Sequence, residues 1–169
     1  MSAGGRTGAR VALSLQVATR SRGLPSAAKI RGWARAALDG PAQVCLRIVG
    51  AREGERLNRA YGGKASPTNV LAFRYDDQAL SGDLVLCAPV IRREARAQGK
   101  GLIAHYAHLT VHGLLHLRGY DHANAREARI MEAKEAEILR RLGYPDPYAC
   151  ESRTRGAPGA RTRSGAEPR

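Results

Sequence analysis

His112-Gly113-Leu114-Leu115-His116-Leu117-Arg118-Gly119-Tyr120-Asp121-His122 places three imidazoles within one short run of chain. The first two are four residues apart, so a helix through them stacks both rings on one face, one turn above the other. Gly119 falls where such a helix has to stop, because glycine takes the left-handed conformation that closes a helix and reverses the chain. The reversal carries His122 back toward the pair. Neutral imidazole nitrogens at about 2.0–2.1 Å suit zinc, and three protein ligands leave a fourth tetrahedral position for water. An open position of that kind implies chemistry rather than a structural clip.

The spacing resembles the long zincin signature H-E-x-x-H-x-x-G-x-x-H, with Gly113 standing where those peptidases keep the glutamate that takes a proton from the zinc-bound water. Peptide hydrolysis by that route therefore loses its base. Composition also points away from a peptide substrate. The 169 residues carry 28 Lys and Arg against 15 Asp and Glu, a net charge of +13. So strong a positive balance favours a polyanion as partner. Five arginines and two glutamates between Glu151 and Arg169 give the tail +3, which leaves +10 on the body. Nucleic acid is favoured over a membrane surface, since no stretch approaches the roughly 18 apolar residues of a spanning helix. No nucleotide cofactor is expected.

The length fits one domain with a real core. Cys45, Cys87 and Cys150 are odd in number and unrelated in spacing, which argues against a disulfide framework and implies a reducing, cytoplasmic setting. Cys45 and Cys87 fall in apolar strands and read as small core residues. Met1–Arg10 is a Gly- and Arg-rich leader with little to bury and is expected to be disordered, as is the basic tail over 149–169. The segment Val11–Ala18 alternates apolar and small or polar residues, a half-buried strand rather than a signal core. Pro25 and Ser26 open a helix through Trp33 and Leu38 that stops at Asp39-Gly40-Pro41. Val44, Leu46 and Ile48 mark a second strand, Arg52–Tyr61 a short helix, and Asn69–Tyr75 and Gly82–Ala88 two further strands with Asp76, Asp77 and Ser81-Gly82 as the turn. Val90–Gln98 reads as a basic helix closed by Gly99.

Leu102–Leu117 carries the first two histidines and is apolar around most of its circumference, so it is expected to be central and buried. Packing then holds the ligands rigidly. His108 and His105 edge the same stripe. A role behind the ligand rings or on the substrate side suits both, with a solvated ring an equal reading for His105. Ala125–Leu142 is amphipathic, and Glu135 intrudes on its apolar stripe between Met131 and Ile138. A buried carboxylate needs a partner. The free N–H of a ligand histidine is one; a glutamate snorkelling from the stripe's edge is the other reading. Asp121 is either a proton acceptor for the metal-bound water or a turn former beside His122.

With these residues in view, the chain resembles the YbeY family of bacterial metal-dependent endoribonucleases, from about Val11 to Tyr148. The likeness is carried by His105-Tyr-Ala-His108 through His122, and by Leu57-Asn58, Tyr61, Lys64, Pro67-Thr68-Asn69-Val70-Leu71 and Phe73. Gly82-Asp83-Leu84-Val85, Met131, Glu135, Leu142-Gly143-Tyr144 and Asp146-Pro147-Tyr148 extend it. The resemblance implies a zincin-like α+β domain over 11–148, with a mostly parallel four-stranded sheet and about five helices. It implies one zinc ion, or another divalent metal, on His112, His116 and His122. It further implies single-strand-specific RNA cleavage in 16S rRNA 3′-end maturation and ribosome quality control, with ribosomal RNA and the small subunit as partners. The family usually has arginine directly after the tyrosine at position 61, and here Gly62 stands there; Ala65 likewise replaces an acidic residue. A guanidinium clamps phosphate in two-pronged fashion, so its loss implies altered substrate placement. Arg59 and Lys64 are the candidates to stand in for it, and Thr68 and Asn69 complete the substrate-binding set. The rival functions are a non-catalytic rRNA-binding assembly factor with a structural metal, and a metal peptidase.

Overall fold

The computed structural model describes residues 10–62, 68–76 and 79–149. The chain runs β1 (Val11–Ala18), α1 (Ala27–Ala37), β2 (Ala42–Val49), α2 (Ala51–Gly62), β3 (Val70–Asp76), β4 (Leu80–Cys87), α3 (Ala88–Ala97), α4 (Leu102–Leu117) and α5 (Ala125–Arg141). The strands form one sheet in the order β1-β2-β4-β3. β1, β2 and β4 are parallel, and β3 returns antiparallel to β4 as the edge. This is the expected α+β architecture with a mostly parallel four-stranded sheet, and five helices lie among the described residues.

Placement in the sheet follows from the apolar pattern. β2 buries Val44, Leu46, Ile48 and Val49, as an interior strand covered on both faces does. β1 alternates half-buried and exposed residues and sits at the opposite edge, where Val17, expected inward, is 54% exposed. Successive β4 side chains point to opposite faces. Leu84 and Leu86 join the main core with α1, α4 and α5, whereas Val85 and Cys87 join a smaller cluster with Leu57 of α2. Helices α4 and α2 therefore cover opposite faces of the sheet.

Local signals fix several boundaries. The Ser26 side chain accepts the Lys29 N–H and caps α1. α3 starts at Ala88 rather than Val90, because Pro89 in a first turn needs no helical N–H partner. The expected turn at Ser81-Gly82 is instead part of β4, paired with Gln43 and Val44. Glycine is required there for another reason: a Cβ on Gly82 would lie 2.2 Å from the Phe73 carbonyl oxygen. Cys45 also departs from expectation, being half-buried, while Cys87 is buried. Asp77, Cys150, the leader through residue 9 and the tail from residue 150 lie outside the described residues.

α4 lies against β3 and β4 through Gly113. A Cβ at that position would stand 2.2 Å from Leu84 Cδ1 and 3.1 Å from Val70 Cγ2. The glycine is thus a close-approach point between helix and sheet. A glutamate at this position has no room, which accounts physically for the departure from the peptidase signature.

Candidate metal centre

α4 ends in a glycine turn that brings the third histidine home. The Gly119 N–H bonds the His116 carbonyl at 2.9 Å and the Tyr120 N–H bonds the Leu115 carbonyl at 3.1 Å. Gly119 takes φ +98°. This is the double-bonded Schellman ending of a helix. His112, His116 and His122 consequently present one ring nitrogen each within 4.8 Å of one another. The His112 and His116 Nε2 atoms are 3.1 Å apart, close to the separation of about 3.3 Å that two imidazoles at zinc-ligand distance and tetrahedral angle require. His112 and His116 are half-buried and His122 is exposed, so the cluster opens to solvent on one side.

The tautomers suit a cation. His112 donates its Nδ1–H to Glu135 Oε1 at 2.6 Å, which leaves its Nε2 as a lone pair facing His116. Burial, and then the nearby His112 and His122, lower the pKa of His116 below the ordinary imidazole value. A neutral ring there offers a second lone pair. Two lone pairs aimed at each other repel unless a proton or metal ion lies between them, and three imidazoles form the donor set that borderline divalent metals prefer.

Glu135 comes from the buried face of α5 and is fully enclosed. Burial alone raises its pKa, yet the hydrogen bonds from His108, His112 and Tyr148 outweigh burial and hold it down to about 2. His108 Nε2 donates to Oε2 at 2.9 Å, and the Tyr148 hydroxyl donates to the same oxygen. Of the two readings left open for Glu135, partner of a ligand histidine and snorkelling side chain, the geometry matches the first. His108, His112 and Glu135 also converge within 4.8 Å. There, however, N–H donors face a carboxylate, an arrangement satisfied by protons alone, so this second group orients the first.

The remaining candidates are scattered. Asp121 accepts the backbone N–H of His122 at 2.7 Å and is exposed, a turn geometry. His105 is 3% exposed and bonds Glu94 Oε2 at 2.9 Å, so it is not solvated. Asn69 donates its amide to both Glu94 oxygens at 3.1 and 3.2 Å, which ties the start of β3 to α3. Thr68 is half-buried beside it. Arg59 sits exposed on α2, bonded to Glu55 one turn back, and α2 covers the opposite face from α4. Lys64 and Ala65 lie outside the described residues.

Sequence reasoning missed two neighbours of the centre. The role of Tyr148 carries no local signal, because only the fold brings it to Glu135. Arg74 of β3 is the other: an idealised Cβ on Gly119 would lie 3.8 Å from its Nη1. That guanidinium therefore borders the turn between the second and third histidines.

The model of the family described as endoribonuclease YbeY matches residues 25–143. The endoribonuclease YbeY of Nitrosomonas europaea is 55% identical over 140 residues, covering 82% of this chain and 85% of that protein. That of Nitrosomonas eutropha is 54% identical over 140 residues, covering 82% and 99%. Among solved structures, the solution structure of TM1509 from Thermotoga maritima has a similar fold, with TM-score 0.50 at 19% identity over 87% of this chain and 99% of that one. The extent of the family match, together with relatives more than half identical over most of both chains, establishes that this chain belongs to the YbeY endoribonuclease family.

Proposed function

We propose that this protein is a metal-dependent endoribonuclease that cleaves single-stranded RNA, with one zinc ion held by His112, His116 and His122. The observation that carries the reading is the pair of Nε2 atoms 3.1 Å apart, with the His112 tautomer set by buried Glu135 and His122 returned by the Gly119 turn. His112, His116 and His122 would hold the cation, which would supply Lewis acidity to a water and to a phosphoryl oxygen. The chain's own groups do the rest. Glu135 holds the His112 ring and makes it a better donor. Asp121 fixes the turn that presents His122. Asn69, through Glu94, braces the strand that leads toward Arg74. Arg59, Lys64 and Thr68 are assigned to substrate contact, and the chain's net charge of +13 attracts phosphate.

The substrate assigned by this reading is ribosomal RNA of the small subunit, in 16S 3′-end maturation and ribosome quality control in the cytoplasm. Among the described residues no helix is long and apolar enough to cross a membrane. Incubating a labelled single-stranded RNA with the zinc-loaded protein tests the activity. Cleavage by wild type and none by His116→Ala is expected. Fragments with 5′-phosphate and 3′-hydroxyl ends identify water as the nucleophile, whereas cyclic phosphates identify the ribose hydroxyl. Gly62 in place of the family arginine favours one alternative, an rRNA-binding assembly factor; tight RNA binding without cleavage at any metal loading would establish it instead.

A further inference from the structure

A cavity of about 640 Å³ lies on the α2 face of the sheet, outside the histidine cluster. Its size falls within the range of small-ligand sites. Tyr61, Phe73, Tyr75, Asp83, Arg47 and Arg74 are among its lining residues. Tyr61 and Tyr75 are 70% and 67% exposed, an unusual display for large aromatic rings. Each ring is nevertheless held. Phe73 meets Tyr61 edge-on, with centroids 5.1 Å apart. The Tyr75 hydroxyl donates to Asp83. The β3–β4 register shifts between Arg74 and Asp76, so Tyr75 is the extra residue of a bulge, a feature that re-aims side chains.

Arg74 connects this cavity to the metal turn. It lines the cavity, and its Nη1 also approaches Gly119, midway between His116 and His122. β3 is the edge of the sheet, so an extended strand of nucleic acid can pass over it from one face to the other. Held aromatic faces suit the π-face of a base, a neighbouring carboxylate suits its amino and ring N–H donors, and a guanidinium suits a phosphate.

We propose that this cavity is a subsite for one unpaired RNA base, which stacks on Tyr75 while Arg74 holds the adjacent phosphate and directs the next linkage toward the histidine cluster. The inference rests on the endoribonuclease reading and deepens it. A paired base cannot enter such a cavity, which supplies a physical basis for single-strand preference. It also assigns phosphate contact to Arg74, on the α4 side of the sheet edge, in a chain that has Gly62 where the family arginine is expected.

The test measures binding of a labelled 12-nucleotide single-stranded RNA to the full-length protein while a single abasic residue is moved along the strand. Wild type is expected to lose at least about fivefold in affinity at one position, the lower bound for losing one base–aromatic stack. Tyr75→Ala should weaken the intact RNA by a similar factor and flatten the scan, while Tyr75→Phe, which keeps the stacking face but not the hydrogen bond to Asp83, should keep a position-dependent scan. Arg74→Gln should make the salt dependence shallower by about 0.7 in log–log slope, one single-strand phosphate contact. A flat scan in wild type overturns the subsite whether or not any variant folds, as does an unchanged scan in Tyr75→Ala. Failure of the enzymatic reading shows differently, as a position-dependent scan on RNA that is never cut.

Discussion

Replacing Gly113 with alanine sets two effects of opposite sign against each other. In a helix interior alanine is favoured over glycine by about 1 kcal/mol. Against that, the new methyl would stand 2.2 Å from Leu84 Cδ1 and 3.1 Å from Val70 Cγ2. Carbon atoms pack at about 3.5–4.0 Å, so helix and sheet must separate by over an ångström or Leu84 must change rotamer. Leu84 is fully buried and cannot swing into solvent. Overpacking of this kind costs about 1–3 kcal/mol, and the severity of the contact places it at the upper end. The expected net loss is about 2 kcal/mol, or about 4–8 °C in Tm for a chain of this size. Urea unfolding of the metal-free protein, followed by circular dichroism, should show a lower midpoint with an unchanged slope. Gly32→Ala in α1 is the internal control, because a Cβ there meets nothing within 4 Å. It should keep the full helix-propensity gain. An alanine at 113 as stable as wild type would refute the close-approach account. Gly113→Glu should be worse still, adding a carboxylate against the core, and should confer no hydrolysis of casein.

Glu135→Gln should weaken zinc binding by about 10- to 100-fold in competition with a chelating dye, the usual effect of removing the group behind a ligand histidine; unchanged affinity would show that Glu135 does not orient His112. Gly119→Ala isolates backbone conformation, since the nearest atom to the added Cβ is Arg74 Nη1 at 3.8 Å while φ is +98°. It should cost about 1–2 kcal/mol and lower metal affinity by displacing His122, and a variant matching wild type in both would remove the turn from the account. The hydrogen bond to Asp83, then burial, then the charge of Asp83, push the Tyr75 phenol up to about 12. Because the protonated phenol is the form favoured by folding, this contribution is complete below pH 10 and is lost as pH rises through 12. A tyrosinate absorbance titration of wild type minus Tyr75→Phe should place the midpoint near 12, and a midpoint near 10 would mean that the hydrogen bond does not persist in solution.

The convergence of the three histidines was legible in the sequence because every part of its code is local. Helical spacing stacks His112 and His116, and a glycine with positive φ turns the chain for His122, so each relation is set within a few residues. Glu135 was half-legible: a carboxylate on an apolar stripe either meets a partner such as a histidine N–H or snorkels to solvent, and the stripe alone does not decide between them. Tyr148 and Arg74 were illegible. Their neighbours in space lie 13 and 45 residues away in the chain, at Glu135 and Gly119, and nothing in residue type or period records such a pairing.

Glycine illustrates the same boundary from the other side. Gly82 read as a turn signal and Gly113 as a missing general base, yet both are flat places where backbone or helix comes too close for a side chain. A glycine signals that a Cβ is unwelcome, and only the fold shows whether torsion or crowding is the reason. At Gly119 the reason is torsion, at Gly113 crowding. The two together set the centre: one presses α4 onto β3 and β4, the other folds the following chain over its end. That pairing also explains why the peptidase base is absent without loss of the ligand geometry, since the position beside His112 faces the sheet while His112 itself faces Glu135. Under the endoribonuclease reading, the proton that the glutamate takes in those peptidases would pass to solvent or to a group on the rim beyond α4, and the end groups left on cleaved RNA would tell whether water or the substrate's ribose hydroxyl is the nucleophile.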